Sequence, residues 1–222
     1  MSSDIWRSRL IYLPKHFAET DLAALHDLID GYSFGTLIIK NASGDLDLAH
    51  LPFFLDRKDG EKGTLLTHVA RANRIWRSVD GKSRAMVIFQ GPHAYISPGW
   101  YKSDIKVPTW NYAVVHAHGV PKKVSEAELY SILKRLTDKH EALLENPWRI
   151  EDLPPDQWER FKKEILGIKI EIDELVGKFK LSQNREADDR EAAIEGLVKR
   201  DALFDAELAS LMERKHRESS TL

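Results

Sequence analysis

Hydrophobic positions along this chain switch between a period near two and a period near 3.6, and each switch marks an element. Trp6–Phe17 reads as an extended lead-in with Pro14 near its end. Leu22, Leu25, Leu28 and Ile29 recur at helical spacing within Asp21–Asp30, and Gly31 supplies the stop. Phe34–Lys40 predicts a strand, Asn41–Gly44 a turn, and Asp45–Leu55 an alternating strand that pairs back as a hairpin. In that second strand Leu46, Leu48 and His50 share one face, while Asp45, Asp47 and Ala49 share the other. Arg57–Gly63 is a polar turn. It feeds Gly63–Arg77, where a short apolar strand runs through a turn into a helix predicted to start near Arg71.

Arg84–Gln90 is a continuous apolar run of the kind a doubly covered strand shows. Gly91-Pro92 breaks it, and His93–Ser97 continues with a bend or bulge. Ser97–Val107 reads as a loop. Thr109–Val120 alternates again, with Trp110, Tyr112, Val114, His116 and His118 on one face. Ser125-Glu-Ala-Glu128 is a capping box opening a helix with the stripe Leu129, Ile132, Leu133, Leu136, His140 and Leu143. After the connector Asn146–Pro155 comes a short helix with Trp158, Phe161 and Ile165, then a strand in which Ile168, Ile170 and Ile172 alternate with charged residues. From Arg185 onward the pattern is helical and highly charged, and the closing residues 217–222 carry no apolar periodicity and read as disordered. Six strand candidates in hairpin-like succession, with no βαβ rhythm, predict a mainly β antiparallel barrel with peripheral helices.

Composition narrows the chemistry. Cysteine is absent from the 222 residues, which excludes disulfides, thiol catalysis, Fe–S clusters and cysteine-bound zinc. The start shows no signal-peptide pattern and no stretch reaches the ~20 apolar residues of a membrane helix, so the expected location is cytoplasmic. A net charge of −2 gives no global attraction to nucleic acid. No nucleophile elbow, zinc-protease motif, phosphate-binding loop or dinucleotide fingerprint occurs.

What remains is a set of polar clusters. Thr67, His68, Arg71 and Asn73 gather at the strand-to-helix corner of Gly63–Arg77, where backbone donors beside a guanidinium would seat an anion such as a phosphate; a solvated turn capped by Asn73 is the competing reading. His116 and His118 point the same way, as strand-borne metal ligands do, with His50 as a third, but no carboxylate completes the set and no metal is expected. His140 on its leucine stripe reads as a core or interface residue, and His93 as either structural or ligand-facing. Trp100-Tyr101 and Trp110-Asn-Tyr112 suit a planar heteroaromatic ligand, a subunit interface or ordinary packing. Lys180–Arg185 is dense in donors, as a phosphate site or a solvated helix start would be.

Several segments together carry a resemblance. Tyr12–Phe17, Phe34–Thr36, Ala49–Phe53, His68–Asn73, Gly91–Pro98, Val107–Tyr112 and Lys180–Arg185 resemble, in order, the PaiB family of FMN-binding negative transcriptional regulators, from about Tyr12 to Leu197. The resemblance implies a six-stranded antiparallel FMN-binding split barrel (Greek key) related to pyridoxamine 5′-phosphate oxidases. This barrel would occupy residues 1–183, with a helical C-terminal extension over 184–222. It also implies a homodimer with FMN at the subunit interface. By the same resemblance, Thr67, His68, Arg71 and Asn73 match the segment holding the ribityl chain and phosphate. His50 and Pro52 match the strand along the isoalloxazine, and Trp110, Asn111, Lys180 and Gln183 are further cofactor-binding positions, from the second subunit. The chain departs from the family pattern at Gly99, in Ser103–Lys106 and in its long charged tail, which shows no helix-turn-helix pattern. A regulator sensing redox state, flavin or a metabolite, a flavin-dependent oxidoreductase acting on a small molecule, and a haem-binding or haem-degrading protein are the functions this leaves open. DNA is a partner only by the family label.

Overall fold

Asp21 begins the first helix as its spacing predicts: its carboxylate accepts hydrogen bonds from the Ala23 and Ala24 amides, both at 3.3 Å, and α1 runs Leu22–Gly31. Replacing Asp21 with alanine leaves those donors unmet and is expected to cost about 1 kcal/mol in a urea-unfolding measurement. The computed structural model describes residues 11–104 and 107–220. Outside it lie the first ten residues (with part of the predicted lead-in), Ile105 and Lys106 of the predicted loop and of the atypical Ser103–Lys106 segment, and Thr221 and Leu222.

The strands are β1 (Ala18–Glu19), β2 (Phe34–Lys40), β3 (Leu46–Pro52), β4 (Phe54–Asp56), β5 (Thr64–Ala70), β6 (Ala85–Ile96), β7 (Thr109–Gly119), β8 (Pro121–Lys123), β9 (Ile165–Glu171) and β10 (Glu174–Lys180). Hydrogen bonding orders them β1-β10-β7-β6-β2-β3 in a six-stranded sheet and β4-β5-β9-β8 in a four-stranded one. The predicted hairpin pairs antiparallel from Phe34↔Pro52 to Lys40↔Leu46. The predicted strand Asp45–Leu55, however, is two strands. Phe53 separates β3 from β4, and the chain passes there from one sheet to the other.

The described residues fall into two compact units. One comprises Asp21–Gln90 and Val115–Val176. Its core is filled by Leu37, Ile39, Phe53, Leu65, Phe89, Ile168 and Ile170, each at most 1% exposed, with Phe53 and Phe89 meeting edge to face at 5.5 Å. α2 (Glu126–Glu141) starts at the predicted capping box and lies over β5 and β9. Gly167 permits that approach, because a Cβ there would come within 2.5 Å of Val124. Leu143, the last of the predicted stripe, lies beyond α2 and is 89% exposed, and the His140 predicted for core or interface is exposed as well. α3 (Pro155–Phe161) is the predicted short helix.

The other unit comprises the described parts of Met1–Thr20, Gly91–Val114 and Gly177–Leu222. β6 is not broken at Gly91-Pro92; it runs on to Ile96. The buried positions change parity there, from Ala85, Val87 and Phe89 to Ala94 and Ile96, which is the signature of the predicted bend. The predicted helical C-terminal segment is two helices, α4 (Ala187–Arg200) and α5 (Asp205–Ser220). Asp201 and Phe204 take left-handed backbone angles, φ 49° and 67°, and turn the chain between them. Buried Asp205 fixes the turn by accepting from the Ala202 amide at 2.9 Å and from Arg200 at 2.6 and 2.7 Å. Among the described residues no helix is long and apolar enough to cross a membrane.

Candidate functional site

Six of the ten predicted site residues lie in the first of these units. Thr67 is fully buried, and its hydroxyl donates to the Pro52 carbonyl at 2.7 Å, which ties β5 to the end of β3. Neighbouring residues on a strand point to opposite faces, so His68 does not join Thr67. In the ladder Thr67 pairs with buried Ile168, whereas His68 pairs with Gly167. The His68 Nδ1 is buried with no hydrogen-bond partner among the described residues, and burial holds its pKa below the ordinary histidine value.

The helix predicted from Arg71 is a single 3-10 turn, Arg74–Arg77. Asn73 caps it by accepting from the Ile75 amide at 3.1 Å. Four residues align too few peptide dipoles to make the helix-terminus anion seat inferred above, so the capped-turn reading describes this backbone. The cations are a separate matter. The Arg71 guanidinium is exposed and forms no ion pair among the described residues, while its backbone is held at both ends: its amide donates to the Glu164 carbonyl at 2.7 Å, and its own carbonyl accepts from the Trp76 indole at 2.8 Å. Lys123 stands 4.9 Å from the Trp76 ring centroid and Arg77 5.7 Å. The Arg71 main chain is thus held at both ends, its carbonyl on an indole whose ring draws Lys123 and Arg77.

β2 and β3 present the second component. Pairing brings Thr36 opposite His50, with the hydroxyl and the imidazole Nδ1 3.0 Å apart. The His50 ring lies nearly parallel to Phe34, at 29° and 6.5 Å. Of the two faces that the alternation distinguishes, the one with Ala49 and Leu51 is buried. The one with Leu46, Leu48 and His50 is exposed, joined by Phe34 from β2. The unit therefore shows solvent a flat apolar face with a histidine in it.

His116 and His118 lie on β7 as predicted, with Nδ1 of the first and Nε2 of the second buried without partners among the described residues. Burial lowers both pKa values; the neighbouring His118 adds to the effect on His116, and Glu174 and Asp173 oppose it at His118. A histidine whose folded pKa is depressed stays neutral in the native state and gains a proton on unfolding. Its stabilising contribution is complete above the unfolded value near 6.5 and is lost as pH falls through the lower folded value. The urea midpoint is therefore expected to fall between about pH 7.5 and about pH 5.5. It should fall less in His68→Gln and His116→Gln variants. Asp80 and Glu128, both held down to about 2 by hydrogen bonds from Ser83 and Ser125 respectively, act only below their ordinary values near 4 and do not contribute to that window.

The other four predicted residues lie in the second unit. Asn111 is fully buried; its amide donates to Ser182 Oγ at 2.8 Å, and its Oδ1 has no partner among the described residues. Gln183 turns back on its own loop, accepting from the Leu181 amide at 2.7 Å and donating to the Phe179 carbonyl at 2.6 Å. Lys180 donates to Thr109 Oγ1. Trp110 is 47% exposed and stacks at 29° on His93, 6.0 Å away. Sequence reading passed over Lys178, which is 7% exposed, because a lysine in a strand normally marks the solvent side.

Residues 11–174 match the family model described as "Putative FMN-binding domain". The chain belongs to this FMN-binding family. The Bacillus subtilis (strain 168) protein named Protease synthase and sporulation protein PAI 2 is 35% identical over 205 residues, covering 92% of this chain and 98% of that protein, which bears out the PaiB resemblance. An uncharacterized protein of Aspergillus fumigatus is 31% identical over 239 residues, with 85% of this chain and 91% of the relative covered. Among solved structures, an FAD and haem binding protein from Mycobacterium smegmatis superposes with a TM-score of 0.57 at 17% identity, covering 80% of each chain. A flavocytochrome from Azotobacter vinelandii gives 0.51 at 12%, with 76% of this chain and 72% of the other covered. These likenesses agree in fold, and the fold is the antiparallel split barrel. The cofactor of this FMN-binding chain is FMN. The residues present suit it: a flavin mononucleotide needs a cation for its phosphate and a flat wall for its ring, and Arg71 and the His50–Phe34 face are of those kinds.

Proposed function

We propose that this protein is a homodimer of the PaiB type that binds FMN and acts as a regulator responding to the state of the flavin or to a metabolite. The observation that carries the dimer is the exposed apolar face of β2 and β3. Phe34 is 69% exposed, Leu46 62% and Leu48 57%, in a sheet whose other face is closed. Apolar residues concentrated on one sheet face are the usual mark of an interface, and a twofold pairing lets one such face cover its own copy.

In this reading Arg71 meets the FMN phosphate, with Asn73 and the corner backbone fixing its approach. His50, Pro52 and the chain near Thr67 line the ring, and His68 stands beside the site as a neutral imidazole. When bound, FMN supplies reversible electron transfer and a visible absorption band. The protein's part is to bind the phosphate, orient the ring and exclude water. The regulatory role is drawn from the Bacillus relative, which is named for protease synthase and sporulation. The test is duplex-DNA binding by the FMN-loaded dimer, with oxidised and reduced flavin, over a range of salt. Salt-dependent affinity that changes with the flavin state supports regulation by direct contact. No binding at low salt, with the dimer intact, removes it.

A second reading, a flavin-dependent oxidoreductase acting on a small molecule, is favoured by the buried Nδ1 of His68, which has no hydrogen-bond partner among the described residues and is of a kind that gives or takes a proton. It requires steady turnover with a reductant such as NAD(P)H, and loss of that turnover in His68→Gln with FMN still bound.

A further inference from the structure

α4 and α5 enclose a small cavity against the loop that follows β10. Leu181, Ile194 and Met212 give it an apolar wall, and Arg190, Lys215 and His216 a polar one. Measured to the centre of a water-sized sphere, its free volume is ≈ 10 Å³, room for one small molecule or ion. All of these residues belong to one unit of the fold. Lys215 reaches Glu19 at 2.6 Å, so its charge is answered. Arg190 is different. Its Nε is buried without a hydrogen-bond partner, and among the described residues its guanidinium forms no ion pair. The acids near it in sequence do not supply one. Asp189 is buried and committed to another loop, accepting from the Lys102 and Ser103 amides at 2.9 and 3.0 Å and from the Ser103 hydroxyl at 2.6 Å. Glu186, Asp188 and Glu191 are exposed, and Glu186 meets Arg190 only through its carbonyl, which accepts from the Arg190 amide at 3.1 Å. Gln183, which also lines the cavity, is held by its own loop, its oxygen on the Leu181 amide and its nitrogen on the Phe179 carbonyl.

Arg190 and Lys215 carry donors and no acceptor, so what completes this wall must accept hydrogen bonds and bring negative charge. A guanidinium nitrogen shut off from water with nothing to bond costs free energy that a counter-ion restores. The room is too small for an organic anion, and the apolar wall disfavours a strongly hydrated one such as sulfate or phosphate. We propose that this cavity binds one small monovalent inorganic anion of halide size on the Arg190 guanidinium, and that the anion fastens α5 to α4. Arg190 and Ile194 are one turn apart on α4, and Met212, Lys215 and His216 share one face of α5, so an ion held among them joins the two helices. Arg190, Lys215 and His216 are not among the positions matched to the flavin, and the proposal stands whether or not FMN is held at the Arg71 corner.

The test uses the full-length FMN-loaded protein, unfolded by urea in sodium chloride, sodium bromide or sodium gluconate at equal ionic strength. An ion bound only by the native state stabilises it until the site is full. The urea midpoint is expected to rise with chloride or bromide and then level off, and to stay lower in gluconate, an anion too large for the cavity. Arg190→Met, which keeps the apolar length of the side chain, should lose the halide response while retaining the flavin spectrum of the wild type. Should that variant not fold, the wild type decides alone: bromide soaked into its crystals should give an anomalous-scattering peak beside Arg190. A midpoint equal in chloride and gluconate, the result for a water molecule only, overturns the proposal. So does a rise that never levels off, which is general salt screening. An Arg190→Met variant that keeps the full halide response, or bromide crystals with no peak at the cavity, overturns it as well.

Discussion

Replacing Arg71 with alanine is expected to weaken FMN binding by about ten- to a hundredfold while leaving the protein folded. A hydrogen bond to a charged group contributes on the order of 1.5–3 kcal/mol, and each 1.4 kcal/mol is a factor of ten in affinity. The guanidinium is exposed and without an ion pair among the described residues, so its removal breaks no internal contact that the fold uses. What holds the corner is main chain: the Arg71 amide on Glu164, the Arg71 carbonyl under Trp76, and the Asn73 cap. Equilibrium dialysis or fluorescence titration with FMN and riboflavin distinguishes the cause. The variant should lose its preference for FMN over riboflavin, since only FMN carries the phosphate. An unchanged FMN affinity would place the phosphate elsewhere.

Leu48→Asp is expected to convert the proposed dimer to monomers. Leu48 is opposite Ile38 on the exposed face of the hairpin, and Leu46 and Phe34 extend the same apolar surface. In a twofold interface each change occurs twice, so two carboxylates would be buried against apolar groups, which costs several kcal/mol. Because Leu48 is 57% exposed in the single chain, the substitution removes little internal packing. Sedimentation should therefore show a monomer with an unchanged far-ultraviolet circular dichroism spectrum, and FMN affinity should drop with it if the flavin sits where the copies meet. A persistent dimer would mean that this face is not the interface.

Much of the fold could be read from periodicity because its longer elements obey a single period. β2, β5, β7 and β9 alternate or run apolar over seven residues or more, and the α2 capping box is written in Ser125 and Glu128. What escaped was short or broke a local rule. β1 and β8 have two and three residues, too few to show a period. β10 reads poorly as a strand because Gly177 interrupts it and its buried residues include a lysine. The break between α4 and α5 rests on left-handed Asp201 and Phe204, which no glycine announces. At the site, the sequence grouped Thr67 with His68 by adjacency, whereas strand geometry sends the two side chains to opposite faces. Arg71 and Asn73 stayed together because a turn, and not a helix, carries them. The Arg190 cavity could not be weighed in sequence, since burial gives it meaning and only the fold reports burial.

The central claim, that this chain binds FMN through its split barrel, is tested most directly by the visible absorption spectrum of the purified protein during titration with FMN. The expected result is a flavin spectrum that shifts and sharpens on binding, saturates in proportion to the number of chains, and is displaced poorly by riboflavin. A protein that stays colourless and leaves the spectrum of added FMN unchanged, or that develops a Soret band with haem in preference to taking up flavin, would contradict it.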